Sequence, residues 1–236
     1  MAADLLRADE VSSGYGKVQV LWGAGLAVGA AETVVLLGAN GAGKTTLLKV
    51  LIGLLPAWTG RIAFGDEDIT RLRPDQRVRR RMAYMSELGV FPGLTIEENL
   101  RIGGQFVASV PLRARLAELF ETFPALADKR QALASSLSGG QRKMLGIAKA
   151  LAADPLLLVM DEPSAGLSPL FVAEVIAVLR RFRGSGLALL IAEQNVAFLD
   201  LADRVYTLDG GRIGFSGTVA ALHQEDALHR AYFGLG

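Results

Sequence analysis

Short apolar runs alternate along this chain with longer stretches whose apolar positions recur at helical spacing. Residues 5–13 and 18–28 alternate apolar with polar positions and predict two strands around the turn Gly14-Tyr15-Gly16-Lys17. Glu32 to Leu37 predicts a buried strand, and the unbroken apolar segment Leu47 to Ile52 predicts a helix ending near Pro56. Arg61 to Phe64 reads as a short strand closed by Gly65-Asp66, and Ala83-Tyr84-Met85 as another, followed by the loop Ser86 to Pro92. From Thr95 the character changes. Thr95-Ile96-Glu97-Glu98 has the spacing of a capping box, and residues 95–103 and 111–122 show helical periodicity with no strand between them. A mostly helical insert is therefore expected over about 88–153. Pro155 opens the apolar strand Leu156 to Met160, Ser168 is placed to cap a helix through about Arg183, and Leu187 to Ala192 predicts the next buried strand. Strands near 204–209 and 212–216 frame the turn Asp209-Gly210-Gly211, and a C-terminal helix closes the pattern.

Composition narrows the class. The 236 residues are 51% hydrophobic, with mean hydropathy +0.34, yet the longest apolar runs are strand-sized and predict no transmembrane helix. The apolar excess fits buried parallel strands, with a docking surface as a further outlet. Met1-Ala2-Ala3-Asp4 lacks the basic start and apolar stretch of a signal peptide, so a cytoplasmic protein is expected. The absence of cysteine excludes disulfides, thiolate metal sites and thiol nucleophiles. A net charge of +1 argues against a bulk polyanion partner. Arg71, Arg73, Arg77, Arg79, Arg80 and Arg81 are crowded together, but no aromatic residue interleaves them and Asp75 dilutes them. They read as a solvated helix face rather than a nucleic-acid surface.

The chemistry concentrates in three places. Gly38-Ala39-Asn40-Gly41-Ala42-Gly43-Lys44-Thr45-Thr46 lies between a predicted buried strand and a predicted helix, the context of a phosphate-binding loop. Gly38, Gly41 and Gly43 let the backbone curl so that successive N–H groups face one anion, and the helix N-terminus adds partial positive charge. Lys44 can reach β- and γ-phosphates, and the Thr45 hydroxyl can ligate Mg²⁺. These residues predict a nucleoside triphosphate as ligand. Asp161 and Glu162 end a wholly apolar strand, Asp161 placed to hold Mg²⁺ and Glu162 to orient or deprotonate an attacking water. Ser138-Gly139-Gly140-Gln141 opens a helix with its backbone N–H groups uncovered; alone it reads as an ordinary capped helix, and behind a phosphate loop as a second anion site. Tyr15 reads either as a packing residue of its hairpin or as an aromatic plate for a purine.

The phosphate loop, Leu137 to Gln141 and Leu158 to Glu162, in this order and spacing, resemble the ATP-binding subunit of ABC transporters over essentially the whole chain. The resemblance implies an α/β fold: a RecA-like P-loop core (about 1–86 and 154–236) with N-terminal antiparallel β strands, interrupted by a helical subdomain (about 88–153). It also implies a head-to-tail dimer closing on two ATP molecules, with Ser138, Gly139, Gly140 and Gln141 facing the nucleotide held by the partner. Tyr15 falls where the family stacks adenine, with Val20 beside it, and Ser164 to Leu167 matches the loop that communicates across that dimer.

Finer features resemble the smaller ATPase of branched-chain amino-acid importers: Tyr15 to Leu21, Phe91 to Leu100, Glu193-Gln194-Asn195 and Ala231 to Gly234. Urea and short-amide importers share some of them. Two positions depart from the common pattern, Glu87 where glutamine is usual and Gln194 where histidine is usual. Both swaps are familiar in the branched-chain type. Glu87 would be a further Mg²⁺ ligand, while Gln194 can hydrogen-bond a γ-phosphate but cannot titrate, which leaves water activation to Glu162. The implied partners are separate membrane permease chains, a second ATPase (this chain or a related one) and, indirectly, an extracytoplasmic solute-binding protein. The implied location is the inner face of the cell membrane. Alternatives are a soluble ABC-type ATPase without transport, or the ATPase of a lipid or polysaccharide exporter.

Overall fold

The computed structural model describes residues 4–87, 89–106, 111–182 and 184–224. The first strands, β1 (Asp4–Tyr15) and β2 (Val18–Gly29), form an antiparallel hairpin. After them come β3 (Thr33–Leu37), α1 (Lys44–Leu51), β4 (Thr59–Phe64), β5 (Glu67–Asp68), α2 (Pro74–Val78) and β6 (Met82–Met85). A run without strands holds α3 (Ile96–Gly103), α4 (Leu112–Thr122), α5 (Pro124–Ala127) and α6 (Gly139–Leu151). The chain then alternates β7 (Leu157–Asp161), α7 (Pro169–Arg180), β8 (Ala188–Glu193), β9 (Arg204–Asp209), β10 (Arg212–Gly217) and α8 (Val219–Gln224).

Two sheets result among the described residues: antiparallel β2-β1-β4-β5, and β10-β9-β3-β8-β7-β6. In the second, β9, β3, β8, β7 and β6 run parallel and only β10 is antiparallel. The apolar runs are explained by this layering. Val34 and Leu36 of β3 point into the core shared with the antiparallel sheet and α1, while Val35 and Leu37 point into the core built with the later helices. Strands β7 and β8 alternate in the same way, so neither face is left for polar residues.

Several local expectations change. Helix α1 stops at Leu51, short of Pro56, because Gly53 turns left-handed (φ 80°) and a side chain takes the last carbonyls. That side chain is Arg77. It is 2% exposed rather than solvated, and its guanidinium donates to the carbonyls of Val50 (2.9 Å), Leu51 (2.6 Å), Leu72 (3.0 Å) and Thr70 (3.1 Å). Burial pushes its pKa down to about 10, which leaves it charged at neutral pH. Arg80 and Arg81 pair with Glu67 and Asp154, so the arginine-rich stretch is partly structural. Thr95 forms the expected capping box with Glu98, whereas Ser168 precedes α7 without any side-chain capping bond. Leu88, Arg183 and Ala231 to Gly234 lie outside the described residues.

Replacing Arg77 with methionine keeps the aliphatic volume but strips four carbonyls of their donor. The variant is expected to lose about 3 kcal/mol of stability, read as a shift of the urea unfolding midpoint at constant slope.

Candidate functional site

The carboxyl ends of β3, β7 and β8 lie side by side, and the loops leaving them build the site. Gly41 (φ 83°) and Gly43 (φ 105°) take left-handed backbone that other residues rarely adopt. A Cβ on Gly38 would stand 2.5 Å from the Leu208 carbonyl. The Gly211 amide anchors the loop from the far hairpin by donating to the Ala42 carbonyl (2.9 Å). Gly43 caps α1 with no side chain, which leaves the first amides of the helix available to an anion.

Lys44, 4% exposed, donates to the carbonyls of Gly38 (2.8 Å) and Ala39 (3.1 Å) and pairs with Glu162 Oε1 (3.0 Å). These oxygens are the contacts a phosphate would exchange with. Next to it, Asp161 accepts from Thr45 Oγ1 (3.0 Å) and from the Tyr84 hydroxyl (3.1 Å). Burial pushes the Asp161 carboxyl up, against the pull of those two bonds. Glu162 occupies left-handed backbone (φ 46°). Its N–H donates to the Ala192 carbonyl (2.9 Å), and its own carbonyl accepts from Lys143 Nζ (3.0 Å). This turn brings the carboxylate to Lys44 instead of continuing along the strand.

Thr45 and Asp161 together offer hard oxygens of the kind Mg²⁺ prefers, so they fit that ion. Among the described residues no cluster of three or more metal-ligating His, Asp or Glu side chains exists, so the remaining oxygens would come from phosphate and water. Glu87 does not join them: it is exposed, and what it contributes is a backbone carbonyl accepting from Lys143 Nζ (3.1 Å). Gln194 is exposed and lines one cavity with Asn40, Glu162, Ser164, Glu193 and Asn195.

Tyr15 ends β1 with its ring 45% exposed, its hydroxyl 3.5 Å from Thr46 Oγ1 and Lys49 Nζ 5.9 Å from the ring centroid. The ring therefore stands beside α1 with area left to stack on. Val20 packs near Gly43. Ser138 caps α6, its Oγ accepting from the Gln141 amide (3.2 Å) while Gln141 Oε1 accepts from the Ser138 amide (3.2 Å). Gly139 is exposed, and Gly140 lies against Phe171 of α7. Among the described residues no hydrogen bond joins Ser138–Gln141 to the phosphate loop of the same chain.

The sequence assigned no role to Tyr84 and Lys143, and marked Glu193 only as part of a family motif. Glu193 carried a readable signal, an acid at the end of a buried strand, like Asp161. Tyr84 and Lys143 carried none, because their partners are remote in sequence.

A glycine loop on a central parallel strand, with an acid pair at a neighbouring strand end, defines a P-loop nucleoside triphosphatase. The family model for ABC transporters matches residues 21–165. BraG, a high-affinity branched-chain amino acid transport ATP-binding protein of Pseudomonas aeruginosa, is 38% identical over 98% of this chain and 100% of its own. LptB, the lipopolysaccharide export system ATP-binding protein of Escherichia coli, is 34% identical over 97% of each. The ADP conformation of MJ1267, an ATP-binding cassette of an ABC transporter, superposes with a TM-score of 0.85 at 26% identity, covering 99% of this chain and 100% of that one. The chain belongs to the ABC transporter family. It is an ATPase subunit of a transporter, a class that dimerises and works with membrane permeases. Among the described residues no helix is long and apolar enough to cross a membrane.

A methyl group at Gly140 would lie 2.3 Å from Phe171. Gly140→Ala is expected to cost about 1–3 kcal/mol by overpacking. The loss should be smaller when Phe171→Ala is introduced alongside it than the two single losses summed, as measured by urea unfolding of all three variants.

Proposed function

We propose that this chain is an ATPase subunit of an importer for branched-chain or related amino acids. The observation that carries the reading is the 38% identity to BraG over 98% of this chain and the whole of that one. Lipopolysaccharide or lipid export is the second reading, supported by the 34% identity to LptB. Urea or short-amide import is a further alternative.

In this reading the phosphate loop Gly38–Thr46 cradles the triphosphate of ATP, and Lys44 moves from the loop carbonyls to the β- and γ-phosphates. Tyr15, with Val20, stacks the adenine. Thr45 and Asp161 hold Mg²⁺, which supplies neutralisation of the phosphate charge; the exposed Glu87 carboxylate would reach that ion only by a rearrangement of its loop. Glu162, freed from Lys44 by the triphosphate, takes the proton of the attacking water as its oxygen bonds the γ-phosphorus and ADP departs with the bridging oxygen, and Gln194, lining the same cavity, hydrogen-bonds the γ-phosphate. Ser138, Gly139, Gly140 and Gln141 present the amides of α6 to the triphosphate on a second ATPase subunit, this chain or a relative. That arrangement gives the uncovered helix end an anion its own chain does not supply.

The chain divides functionally into a core (about 1–86 and 154–236) and a helical subdomain (about 88–153). The groove between them, near residues 87–100, passes the motion to separate permease chains. The subunit then lies on the inner face of the membrane, and an external solute-binding protein acts through the permease.

Glu162→Gln is expected to lower kcat by about 10²–10⁴-fold while ATP still binds; near-normal turnover would remove Glu162 from the role of base. Tagged Glu162→Gln protein with Mg·ATP, used as bait in detergent-solubilised membranes of the source organism, tests the transport reading. Mass spectrometry recovering a polytopic amino-acid permease and a second ATPase supports import. A lipid-export assembly favours the second reading, and soluble partners alone would overturn both.

A further inference from the structure

Strand β8 ends in a carboxylate assigned no part in the chemistry above. Glu193 is 1% exposed, and its side chain accepts hydrogen bonds from the Ser164 amide (2.7 Å), the Ser164 hydroxyl (2.9 Å), the Gln194 amide (3.1 Å) and the Asn195 amide (3.2 Å). Ser164 lies two residues beyond Glu162, in the loop that follows β7. Gln194 and Asn195 begin the loop that follows β8. The main chain extends the same junction. The Glu193 carbonyl accepts from the Gly38 amide (3.3 Å), and the preceding Ala192 carbonyl accepts from the Glu162 amide (2.9 Å). The phosphate loop, the acid loop and the residue-194 loop therefore all converge on the end of one strand.

The chemistry of the junction requires a carboxylate of this length. Three of its four partners are backbone amides, which can only donate, the fourth is a hydroxyl donating to it, and an ionised carboxylate is an acceptor at both oxygens. Glutamine has nearly the same shape, but its NH₂ group would face either the Ser164 amide or the amides of residues 194 and 195. Aspartate is one methylene shorter and cannot span the two loops at these distances. Lys143, the cation on α6 nearest this region, gives its hydrogen bonds to the carbonyls of Glu162 and Glu87 rather than to Glu193. The buried carboxylate thus takes its hydrogen bonds from loop amides and one hydroxyl, so these bonds depend on both loops staying in place, while Lys143 adds only a longer-range charge.

Glu162 needs such support. Its left-handed backbone is a conformation that persists only when the surroundings hold it, and the Ser164 amide is fixed two residues downstream. We propose that Glu193 is a positioning residue for ATP hydrolysis, locking the Glu162 loop and the Gln194 loop into one rigid unit across the cavity they share. Glu193 touches neither water nor phosphate in this scheme. It sets the distance between the residues that do. The inference rests on the roles proposed above for Glu162 and Gln194.

The test is steady-state ATP hydrolysis by the full chain, comparing wild type, Glu193→Gln, Ser164→Ala and the double variant, with Glu162→Gln in the same assay as the check on the underlying roles. Urea unfolding of each variant fixes the folded fraction. Glu193→Gln is expected to lower kcat by about tenfold or more with KM for ATP within about twofold, because binding by the phosphate loop is retained. Ser164→Ala should lower kcat by less, and the double variant should be no slower than Glu193→Gln alone, since both changes break one unit. A kcat for Glu193→Gln within about twofold of wild type, or losses that multiply in the double variant, would overturn the proposal. So would a loss accounted for by the unfolded fraction. If Glu193→Gln fails to fold, Ser164→Ala decides: a several-fold lower kcat at unchanged KM supports the lock, and wild-type kcat overturns it. A normal rate for Glu162→Gln would instead remove the underlying catalytic assignment.

Discussion

A loop of glycines holds an anion only if both of its ends are fixed, and here the central parallel strands fix them. β3, β7 and β8 are buried on both faces, alternating side chains between two apolar cores. Their ends cannot slide by one residue without moving every side chain into the opposite core. That constraint holds the phosphate loop, Asp161, Glu162 and Glu193 in register with one another. The left-handed residues Gly41, Gly43 and Glu162 sit in the short loops that leave these strands.

Electrostatics then shapes the site within that frame. Lys44 is buried, and its charge is met by two loop carbonyls and the Glu162 carboxylate. A triphosphate would compete for the same amine and release Glu162 from it. Nucleotide binding and the release of the Glu162 carboxylate would thereby be linked through one ion pair. Asp161 is instead restrained by neutral donors, Thr45 and Tyr84, which leaves its charge for a cation. The two adjacent acids meet different partners, a cation for Glu162 and two hydroxyls for Asp161.

The phosphate loop, the acid pair and the Ser138 cap were legible from sequence, because each is a local pattern on a strand end or helix start. Arg77 was not. It belongs to an arginine-rich stretch that resembles a solvated face, yet its guanidinium closes the C-terminus of a helix 26 residues earlier. The fit of Gly140 was equally hidden, since the ring it contacts sits on another helix. Glu87 was legible as a departure from the family pattern, whereas the acceptance of a Lys143 hydrogen bond by its backbone carbonyl was not.

The order of the main strands and helices, the nucleotide loop and the family can all be read along the chain. Periodicity, capping and glycine placement act over a few residues, and a single chain records them directly. Which polar groups meet is set by the packed fold: Lys44 with Glu162, Tyr84 with Asp161, and Glu193 with Ser164 across 29 residues. The physical reason is that a buried charge takes its partner from whatever element packs beside it, and that neighbour is chosen by the packing of the sheets rather than by position along the chain.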